Sequence, residues 1–339
     1  MNNYPKVNYI GNKEKLAEWI IEKLPVKSGT ILDLFCGGCS VSYALKNHDF
    51  SVISNDVLYS NYVIAKAIVE NNIELLSKED LNINISDELC DKKYNEIKFL
   101  TNKLYFKEEV EELARLILMS EKIEGYKKYL FLALLRRSMI RKIPYSRMNI
   151  KWSEIKKLRD EEYSYKKYGR YRHYHNIPFV EHICDNLDEY NNAVINSRER
   201  CVALNYDAED CLRKLDNVVD VVYMDPPYPS TMNQYEEFYG SFDKALGKET
   251  RAKTNLTNKS TFLENFAGIV KLCVGKAKYI AISLNNKSFP SAELLIQYIS
   301  PFIGEYQLSA KQHVYKVTGK ENKQSNVEIL LVCKMKESL

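Results

Sequence analysis

Short apolar runs and amphipathic segments alternate along most of the chain. Five runs rich in β-branched residues and bounded by turn residues predict buried strands, at 30–35, 51–56, 201–207, 218–224 and 279–286. Amphipathic segments at 13–24 and 58–72 predict helices around the first two strands. Strands that alternate with helices in this way are typical of an α/β sheet.

The pattern changes near residue 88. Residues 88–120 are charged and helical, and 126–142 is an apolar helix that ends in arginines. The stretch 163–178 has no apolar period, so we expect an exposed arm or loop, followed by a helix over 179–195. Two polar–apolar strands at 305–317 and 326–334 predict a terminal antiparallel pair joined by a polar loop at 318–325. These patterns predict an α/β domain formed by residues 1–87 and 179–339, interrupted by an insertion at 88–178.

The insertion carries the positive charge. The net charge of the chain is only +4, but residues 122–172 contain 16 Lys or Arg against 5 Asp or Glu. Seven tyrosines are interleaved with them, at positions 126, 129, 145, 163, 165, 168 and 171. A basic segment rich in arginine and tyrosine is expected to meet phosphates. A solvated helix face would explain the lysines but not the arginines and tyrosines.

Other classes of protein find little support. The sequence has no run of about 18 apolar residues and no apolar signal-peptide core at its start, so we expect a cytoplasmic protein without a membrane partner. Cys36 and Cys39 form a C-x-x-C that could be redox-active, but they lie inside a glycine turn. The spacing of the histidines at 173–175, His182 and Cys184 matches no zinc pattern, so we expect no metal and histidines on the surface or facing phosphates.

Three predicted strands end in an acid: Asp33, Asp56 and Asp207. Ligands of an open α/β sheet bind at the carboxyl ends of its strands. Gly37 and Gly38 after the first strand allow a sharp turn and a close approach of the backbone to a ligand. Asp56 lies at the distance from this turn at which an acid takes ribose hydroxyls. The acids suit S-adenosylmethionine, which carries an ammonium group, a sulfonium and a ribose.

Alternatives remain for this motif. A nicotinamide enzyme also shows a glycine turn and a distal acid, but the sequence has no G-x-G-x-x-G, and Asp33 would repel a pyrophosphate. Asp33 could instead cap the following helix, and Asp56 could start a turn.

The segment 225–228 reads Asp-Pro-Pro-Tyr and follows a predicted strand. Pro226 and Pro227 lack an N–H and fix φ, so they hold a stiff loop whose carbonyls are free to accept hydrogen bonds. Asp225 adds an acceptor, and Tyr228 adds a flat face on which a base could stack. The loop therefore suits a planar amine. An ATPase would need a phosphate loop, and none occurs; a plain proline-rich turn remains the structural alternative.

Three motifs together resemble the adenine-N6 DNA methyltransferases, including the Dam type with the alpha order of motifs. They are YIGNK at 9–13, DLFCGG at 33–38 and DPPY at 225–228, and the segment 134–150 resembles the insertion of methyltransferases paired with restriction enzymes. The resemblance implies a Rossmann-like, S-adenosylmethionine-dependent methyltransferase sheet (1–87 and 179–339) with an inserted, largely helical DNA-recognition domain (88–178).

The resemblance also implies the chemistry. An adenine flipped out of double-stranded DNA would stack on Tyr228, with its N6 donating to the Asp225 carboxylate and the Pro226 carbonyl. Asp33 would hold the ammonium group of the cofactor, and Lys13 would lie near the cofactor carboxylate or the flipped base. The full set of implied cofactor residues is Tyr9, Lys13, Asp33, Phe35, Gly37, Asp56 (ribose) and Asp207 (adenine amine).

The insertion would bind the DNA. Candidates for base or phosphate contacts are its arginines Arg136, Arg137, Arg141 and Arg147. The expected context is a restriction–modification system, with a cognate restriction endonuclease that acts separately. Two other functions remain open: a methyltransferase for another amino group, such as RNA adenine, cytosine N4 or a protein glutamine, and a DNA-binding protein without catalysis.

Overall fold

The computed structural model describes residues 3–146, 148–229, 235–248, 252–312 and 326–337, without the side chains of 235 and 236. The chain divides into two compact units. The helical unit comprises Met1–Asn12, Leu58–Asn196 and Tyr235–Thr250. The sheet unit comprises Lys13–Val57, Ser197–Gln234 and Arg251–Leu339.

The sheet unit is built on seven strands in the order β3-β2-β1-β4-β5-β7-β6. The first five strands in this order are parallel to one another, and β7 pairs antiparallel with both β5 and β6. The strands are β1 (Thr30–Asp33), β2 (Ser51–Asn55), β3 (Cys201–Leu204), β4 (Val219–Met224), β5 (Ala277–Asn285), β6 (Ile303–Gln312) and β7 (Val327–Met335). All five apolar runs and the terminal antiparallel pair are confirmed as strands. Residues 313–317 of that pair and the predicted loop 318–325 lie outside the described residues.

Both units contain helices. In chain order they are α1 (Ala17–Lys23), α2 (Ser40–Asn47), α3 (Tyr59–Ile64), α4 (Asp87–Ile97), α5 (Lys107–Lys122), α6 (Gly125–Arg141), α7 (Trp152–Arg159), α8 (Glu161–Tyr168), α9 (Phe179–Asn191), α10 (Ala208–Arg213), α11 (Tyr235–Ala245), α12 (Phe262–Leu272) and α13 (Ala292–Ile299). A π-helical stretch, Ala65–Glu70, continues α3. The predicted mixed α/β fold is confirmed.

The core of the sheet unit explains why the central strands carry so few polar residues. Leu32 in β1, Val222 in β4 and Ile280 in β5 are fully buried, and they belong to one apolar cluster with Phe262 and Phe266 of α12. Strands covered in this way need apolar side chains along their length. The polar residues are therefore left for the strand ends.

The helical unit corrects one sequence-based expectation. Residues 163–178 were expected to form an arm or loop, but Glu161–Tyr168 is helix α8. The Asp160 carboxylate accepts a hydrogen bond from the Tyr163 backbone N–H at 2.8 Å, and Gly169 ends the helix with φ 66°. Both are standard helix-end signals. The helix escaped the apolar-period test because its side chains are mostly exposed tyrosines and lysines.

The predicted insertion, 88–178, lies within the sequence span of the helical unit. The helical unit also takes in residues 58–87, 179–196 and two further segments, so it is larger than the insertion. A DNA-recognition role for 88–178 remains a prediction.

Candidate active site

The carboxyl ends of β1, β2 and β4 meet at one edge of the sheet unit. Asp33, the last residue of β1, pairs with Tyr223 of β4, and the Leu34 N–H donates to the Tyr223 carbonyl at 3.0 Å. On the other side, the Cys36 N–H donates to the Asn55 carbonyl at 2.9 Å. These bonds hold the segment that follows β1 against β4 on one side and β2 on the other.

A glycine turn lies between β1 and α2. Gly37 has φ 50°, and its N–H donates to Oδ2 of Asp56 at 2.9 Å. Cys39 has φ 64°, so the turn uses the left-handed region twice, once at a residue with a Cβ. Asp56 is buried, and its backbone carbonyl accepts from the Asn205 side chain at 2.8 Å. The acid predicted to take a ribose therefore also holds the turn in shape.

Asp33 is 1% exposed. Its Oδ2 accepts a hydrogen bond from Ser42 Oγ at 2.6 Å, and Ser42 Oγ accepts one from Ser54 Oγ at 2.8 Å. Oδ1 of Asp33 has no hydrogen-bond partner within the described parts of the chain. Burial raises the pKa of Asp33 to about 7, and the nearby carboxylates of Asp225 and Asp56 add to the increase, whereas Ser42 opposes it. A buried carboxylate of this kind favours a cationic partner.

Asp225 follows β4 and forms an ion pair with Lys13, whose Nζ lies 3.1 Å from Oδ2 of Asp225. The two side chains are 23% and 12% exposed, respectively. Burial raises the pKa of Asp225, the ammonium group of Lys13 lowers it, and the carboxylate of Glu328 raises it. The backbone N–H of Lys13 donates to Ser40 Oγ at 3.2 Å, so Lys13 is also tied to the start of α2.

The rest of the DPPY segment is firmly held. Pro226 is buried, and Pro227 is half-buried. The Tyr228 hydroxyl donates to the Ser283 carbonyl of β5 at 2.7 Å, and its ring lies 5.4 Å from that of Phe262, centroid to centroid. Both ends of the tyrosine side chain are thereby fixed.

The remaining predicted residues of the sheet unit have structural partners. Asp207 caps α10: its Oδ1 accepts from the Glu209 N–H at 3.0 Å and its Oδ2 from the Lys253 N–H at 2.9 Å. Phe35 is half-buried and packs against the apolar cluster. Asp207 is therefore a helix cap, and its role toward a cofactor remains a prediction. The capping alternative raised for Asp33 is wrong, because the N-cap of α2 is Cys39 and no side chain caps that helix.

Tyr9 belongs to the helical unit. Its ring stacks on that of Tyr239 of α11, with centroids 5.2 Å apart. The Tyr239 hydroxyl accepts a hydrogen bond from the Ile10 N–H at 2.9 Å, so Tyr239 anchors the segment that carries Tyr9.

The predicted DNA-contacting arginines differ in their surroundings. Arg136 is 1% exposed, donates from Nη1 to the Val7 carbonyl at 3.0 Å and lies over the ring of Tyr239. Arg137 is buried, with Nη2 3.5 Å from Glu189. The guanidinium group of Arg141 lies 3.8 Å from the ring centroid of Tyr174. Arg147 lies outside the described residues.

The end of α8 and the segment after it form an aromatic and basic surface, which we call the tyrosine face. It consists of Tyr165, Tyr168, Tyr171, Arg172 and His173. Tyr165 stacks on Tyr171 with centroids 4.6 Å apart, and Tyr171 stacks on His173 at 5.4 Å. The guanidinium group of Arg172 lies 4.3 Å from the ring centroid of Tyr168. Tyr165 and Tyr171 are each 51% exposed.

Two histidines correct the surface assignment made from sequence. His175 and His182 are buried, and they contact the carbonyls of Arg141 and Tyr174, at 3.2 and 2.7 Å. Burial lowers the pKa of each to about 4, so both are neutral at physiological pH. The described residues contain no cluster of His, Cys, Asp and Glu that could hold a metal ion. Within them, too, no helix has the length and apolar character needed to cross a membrane.

Sequence reasoning missed three residues around the site. They are Ser42, which donates to Asp33, Glu328, which lies near Lys13, and Asn285, which donates to Glu328. Glu328 gave one signal: it is an acid inside an otherwise apolar strand. Nothing in the sequence marked the other two.

The strand ends of the sheet unit combine a glycine turn, a buried acid and a DPPY segment, and these include two of the three motifs that carry the resemblance to adenine-N6 DNA methyltransferases. Comparison with known proteins identifies the family. The model of the D12 class N6 adenine-specific DNA methyltransferases matches residues 9–290. The chain therefore belongs to this family and is an adenine-specific DNA methyltransferase, which confirms the resemblance drawn from the motifs.

Two relatives agree with the family match. The chain is 44% identical to the Type II methyltransferase M2.HphI of Haemophilus parahaemolyticus over 342 residues, which cover 98% of this chain and 99% of that protein. It is 27% identical over 134 residues to the Type II methyltransferase M.CviAII of Paramecium bursaria Chlorella virus 1, covering 36% of this chain and 40% of the relative. Membership of the family implies a methyl donor of the S-adenosylmethionine type and DNA as the substrate. It does not favour RNA methylation or binding without catalysis.

Proposed function

We propose that the enzyme transfers the methyl group of S-adenosylmethionine to N6 of an adenine flipped out of double-stranded DNA. The observation that carries the proposal is the adjacency of two acids at the sheet edge: Asp33 ends β1, and Asp225 follows the neighbouring strand β4. One acid suits a cationic cofactor and the other suits a nucleobase amine. No other pair of described strand ends places these two chemistries side by side with a glycine turn.

The residues at the end of β1 fit the cofactor. When bound, S-adenosylmethionine supplies an electrophilic methyl group on a sulfonium. Asp33 would bind its ammonium group through Oδ1, the buried oxygen that has no hydrogen-bond partner among the described residues. Gly37 lets the backbone approach, Phe35 flanks the turn, and Asp56 would bind the ribose while holding the Gly37 N–H.

Three further residues complete the proposed cofactor set. Asp207 would accept from the adenine amine of the cofactor in addition to its capping bonds. Tyr9 is retained in the set from its motif, YIGNK, alone. Lys13 could face the cofactor carboxylate or the flipped base, and its ion pair with Asp225 supports the second alternative.

The residues after β4 would hold the target amine. The Asp225 carboxylate and the Pro226 carbonyl would accept the two N6 hydrogens, and the base would stack on Tyr228. The lone pair of an exocyclic amine is delocalised into the ring, so the amine is a poor nucleophile. Acceptors at N6 favour a tetrahedral nitrogen and stabilise the positive charge that develops on it. The fixed ring of Tyr228 supplies alignment.

The helical unit would bind the DNA. The exposed tyrosines of the tyrosine face suit unstacked bases, and the neighbouring exposed Lys166 and Lys167 suit phosphates. Among the predicted arginines, Arg141 is only partly buried and is the better candidate for direct contact. Arg136 and Arg137 are buried, so their contribution would be indirect. We retain 88–178 as the proposed target-recognition segment, with Arg147 as a further candidate.

The names of two relatives support a proposal about the biological setting. Both are named Type II methyltransferases, a name used for enzymes of restriction–modification systems. We therefore propose that this enzyme protects host DNA and that a cognate restriction endonuclease acts separately from it, in the cytoplasm.

Replacement of the proposed amine acceptor tests this function. Asp225→Ala should lower the single-turnover rate of methyl transfer to duplex DNA by about 1,000-fold, the scale of losing a transition-state hydrogen-bonding group. Duplex binding and cofactor binding should stay unchanged. Asp216→Ala, at an exposed position just before β4, serves as the control. Unimpaired transfer by Asp225→Ala, or transfer by the wild type to RNA but not to duplex DNA, would contradict the proposal.

A further inference from the structure

Glu328 is a carboxylate buried inside the sheet. Its side chain is 1% exposed, and it lies on β7, an antiparallel strand whose other buried positions are apolar apart from a cysteine. Taking a carboxylate out of water is costly unless hydrogen bonds or an opposite charge offset the loss. Replacing a buried charge by an apolar residue of similar volume is often neutral or stabilising, so stability alone does not account for the acid at this position.

Two neighbours offset this cost. The Asn285 side chain on β5, directly opposite in the strand register, donates from Nδ2 to Oε1 of Glu328 at 3.0 Å. On the other side, Nζ of Lys13 lies 3.8 Å from Oε2. Asn285 thus fixes one oxygen and directs the other toward the ammonium group of Lys13.

Lys13 is shared between two carboxylates. The same Nζ lies 3.1 Å from Oδ2 of Asp225. All three side chains belong to the sheet unit, and they form a line from β7 to the end of β4. An ammonium group has three donors and distributes them among the acceptors around it.

We propose that Glu328 is a positioning residue for methyl transfer: by engaging Lys13, it leaves the Asp225 carboxylate available to accept a hydrogen bond from the target amine. The inference rests on the proposed role of Asp225. Without the charge of Glu328, the ammonium group of Lys13 would be attracted more strongly to Asp225 and would compete with the amine for the same lone pairs. The contacts from Asn285 to Glu328 and from Glu328 to Lys13 therefore set how strongly the ammonium group of Lys13 binds the Asp225 carboxylate.

The charge of Glu328 also acts on the protonation of Asp225. The groups that face Asp225 are Lys13, Glu328, Asp33 and the hydroxyls of Tyr223 and Tyr228. Burial raises the pKa of both tyrosines well above their usual range, so they stay neutral through the assay range. Glu328 raises the pKa of Asp225, whereas Lys13 lowers it. Removal of the Glu328 charge should therefore move the Asp225 titration to lower pH.

The variant Glu328→Gln tests the inference, because the amide keeps the shape and its oxygen can still accept from Asn285. We expect the single-turnover rate at saturating cofactor and DNA to fall about tenfold, the scale of one charge-assisted hydrogen bond. The acid limb of its pH profile should move to lower pH. In the ligand-free protein, carboxyl ¹³C NMR should show the same shift for Asp225, with its resonance assigned by its loss in Asp225→Asn.

Two further variants serve as comparisons for Glu328→Gln. Glu328→Asp keeps the charge at a longer distance, so its methyl-transfer rate and its Asp225 titration should fall between those of the wild type and Glu328→Gln. Glu305→Gln, on the exposed surface of β6, should match the wild type. An Asp225 titration and a rate profile in Glu328→Gln that equal the wild type would overturn the inference while methyl transfer itself persists. Should Glu328→Gln fail to fold, an unchanged titration in Glu328→Asp would overturn it instead. Failure of the proposed function would appear differently, as full activity in Asp225→Ala.

Discussion

Ser42 donates a hydrogen bond to Oδ2 of Asp33 at 2.6 Å and leaves Oδ1 of this carboxylate without a hydrogen-bond partner among the described residues. The sheet unit therefore fixes the orientation of the Asp33 carboxylate but leaves one of its two oxygens without a hydrogen bond among the described residues. Burial raises its pKa to about 7, so near neutral pH the ligand-free protein holds a charge that its own side chains only partly stabilise. A bound cation would complete the site.

Loss of this charge should weaken cofactor binding. Asp33→Asn keeps the size of the side chain but cannot form an ion pair, and we expect about a 100-fold weaker affinity for S-adenosylhomocysteine, the scale of a lost buried charge pair. Isothermal titration calorimetry at pH 8 measures it. Asp49→Asn, at an exposed position with φ 54° that asparagine tolerates, is the matched control. Equal affinities in wild type and Asp33→Asn would refute the assignment.

The same substitution should stabilise the ligand-free protein. The pKa of Asp33 is raised from an unfolded value near 4 to about 7, so ionisation destabilises the folded state as the pH rises through that interval. The penalty is complete above pH 7 and absent below pH 4. Asp33→Asn should therefore unfold in urea with a free energy ~2–4 kcal/mol higher than wild type at pH 8. The advantage should shrink at pH 5; an advantage that is the same at both values would rule out ionisation as its cause.

Much of the site could be predicted because parallel strands end at one edge of a sheet. Asp33, Asp56 and the DPPY segment each follow an apolar run, and the register of β1 with β4 brings two of them together. Local sequence carries that information. Local sequence does not carry the ion pair of Lys13 with Asp225, because that contact depends on how the segment before α1 packs on the sheet. The sequence therefore left open whether Lys13 faces the cofactor carboxylate or the flipped base.

Other features were hidden because tertiary packing decides them. Glu328 stood out only as an acid in a largely apolar strand, and its contacts with Asn285 and Lys13 depend on the folded sheet. Arg136 occurs in a basic run that suggests an exposed surface, yet its guanidinium group lies between the Val7 carbonyl and Tyr239. Exposed helices such as α8 lack the apolar period on which the prediction depended.

Tyr228 should act through its ring, not its hydroxyl. Tyr228→Phe keeps the stacking face and loses the hydrogen bond to the Ser283 carbonyl. We expect a methyl-transfer rate within about threefold of wild type and a stability loss of ~1 kcal/mol, the net value of one hydrogen bond. Tyr228→Leu keeps an apolar side chain without a flat face and should transfer about 100-fold more slowly, since stacking contributes ~1–3 kcal/mol per base. Rapid quench assays and urea melts separate the two effects; equal rates in both variants would exclude stacking.

The tyrosine face should contribute electrostatically to DNA binding. Lys166 and Lys167 lie on α8 beside the stacked tyrosines, and both are exposed. If each neutralises a phosphate, the double variant Lys166→Ala/Lys167→Ala should reduce the magnitude of the slope of log K against log salt by about 2. Fluorescence anisotropy with a labelled duplex at several salt concentrations measures the slope. The exposed pair Lys271→Ala/Lys334→Ala of the sheet unit removes the same net charge and should leave the slope unchanged. A similar reduction in both double variants would mean that net charge alone attracts the DNA, and the tyrosine face would lose its assigned role.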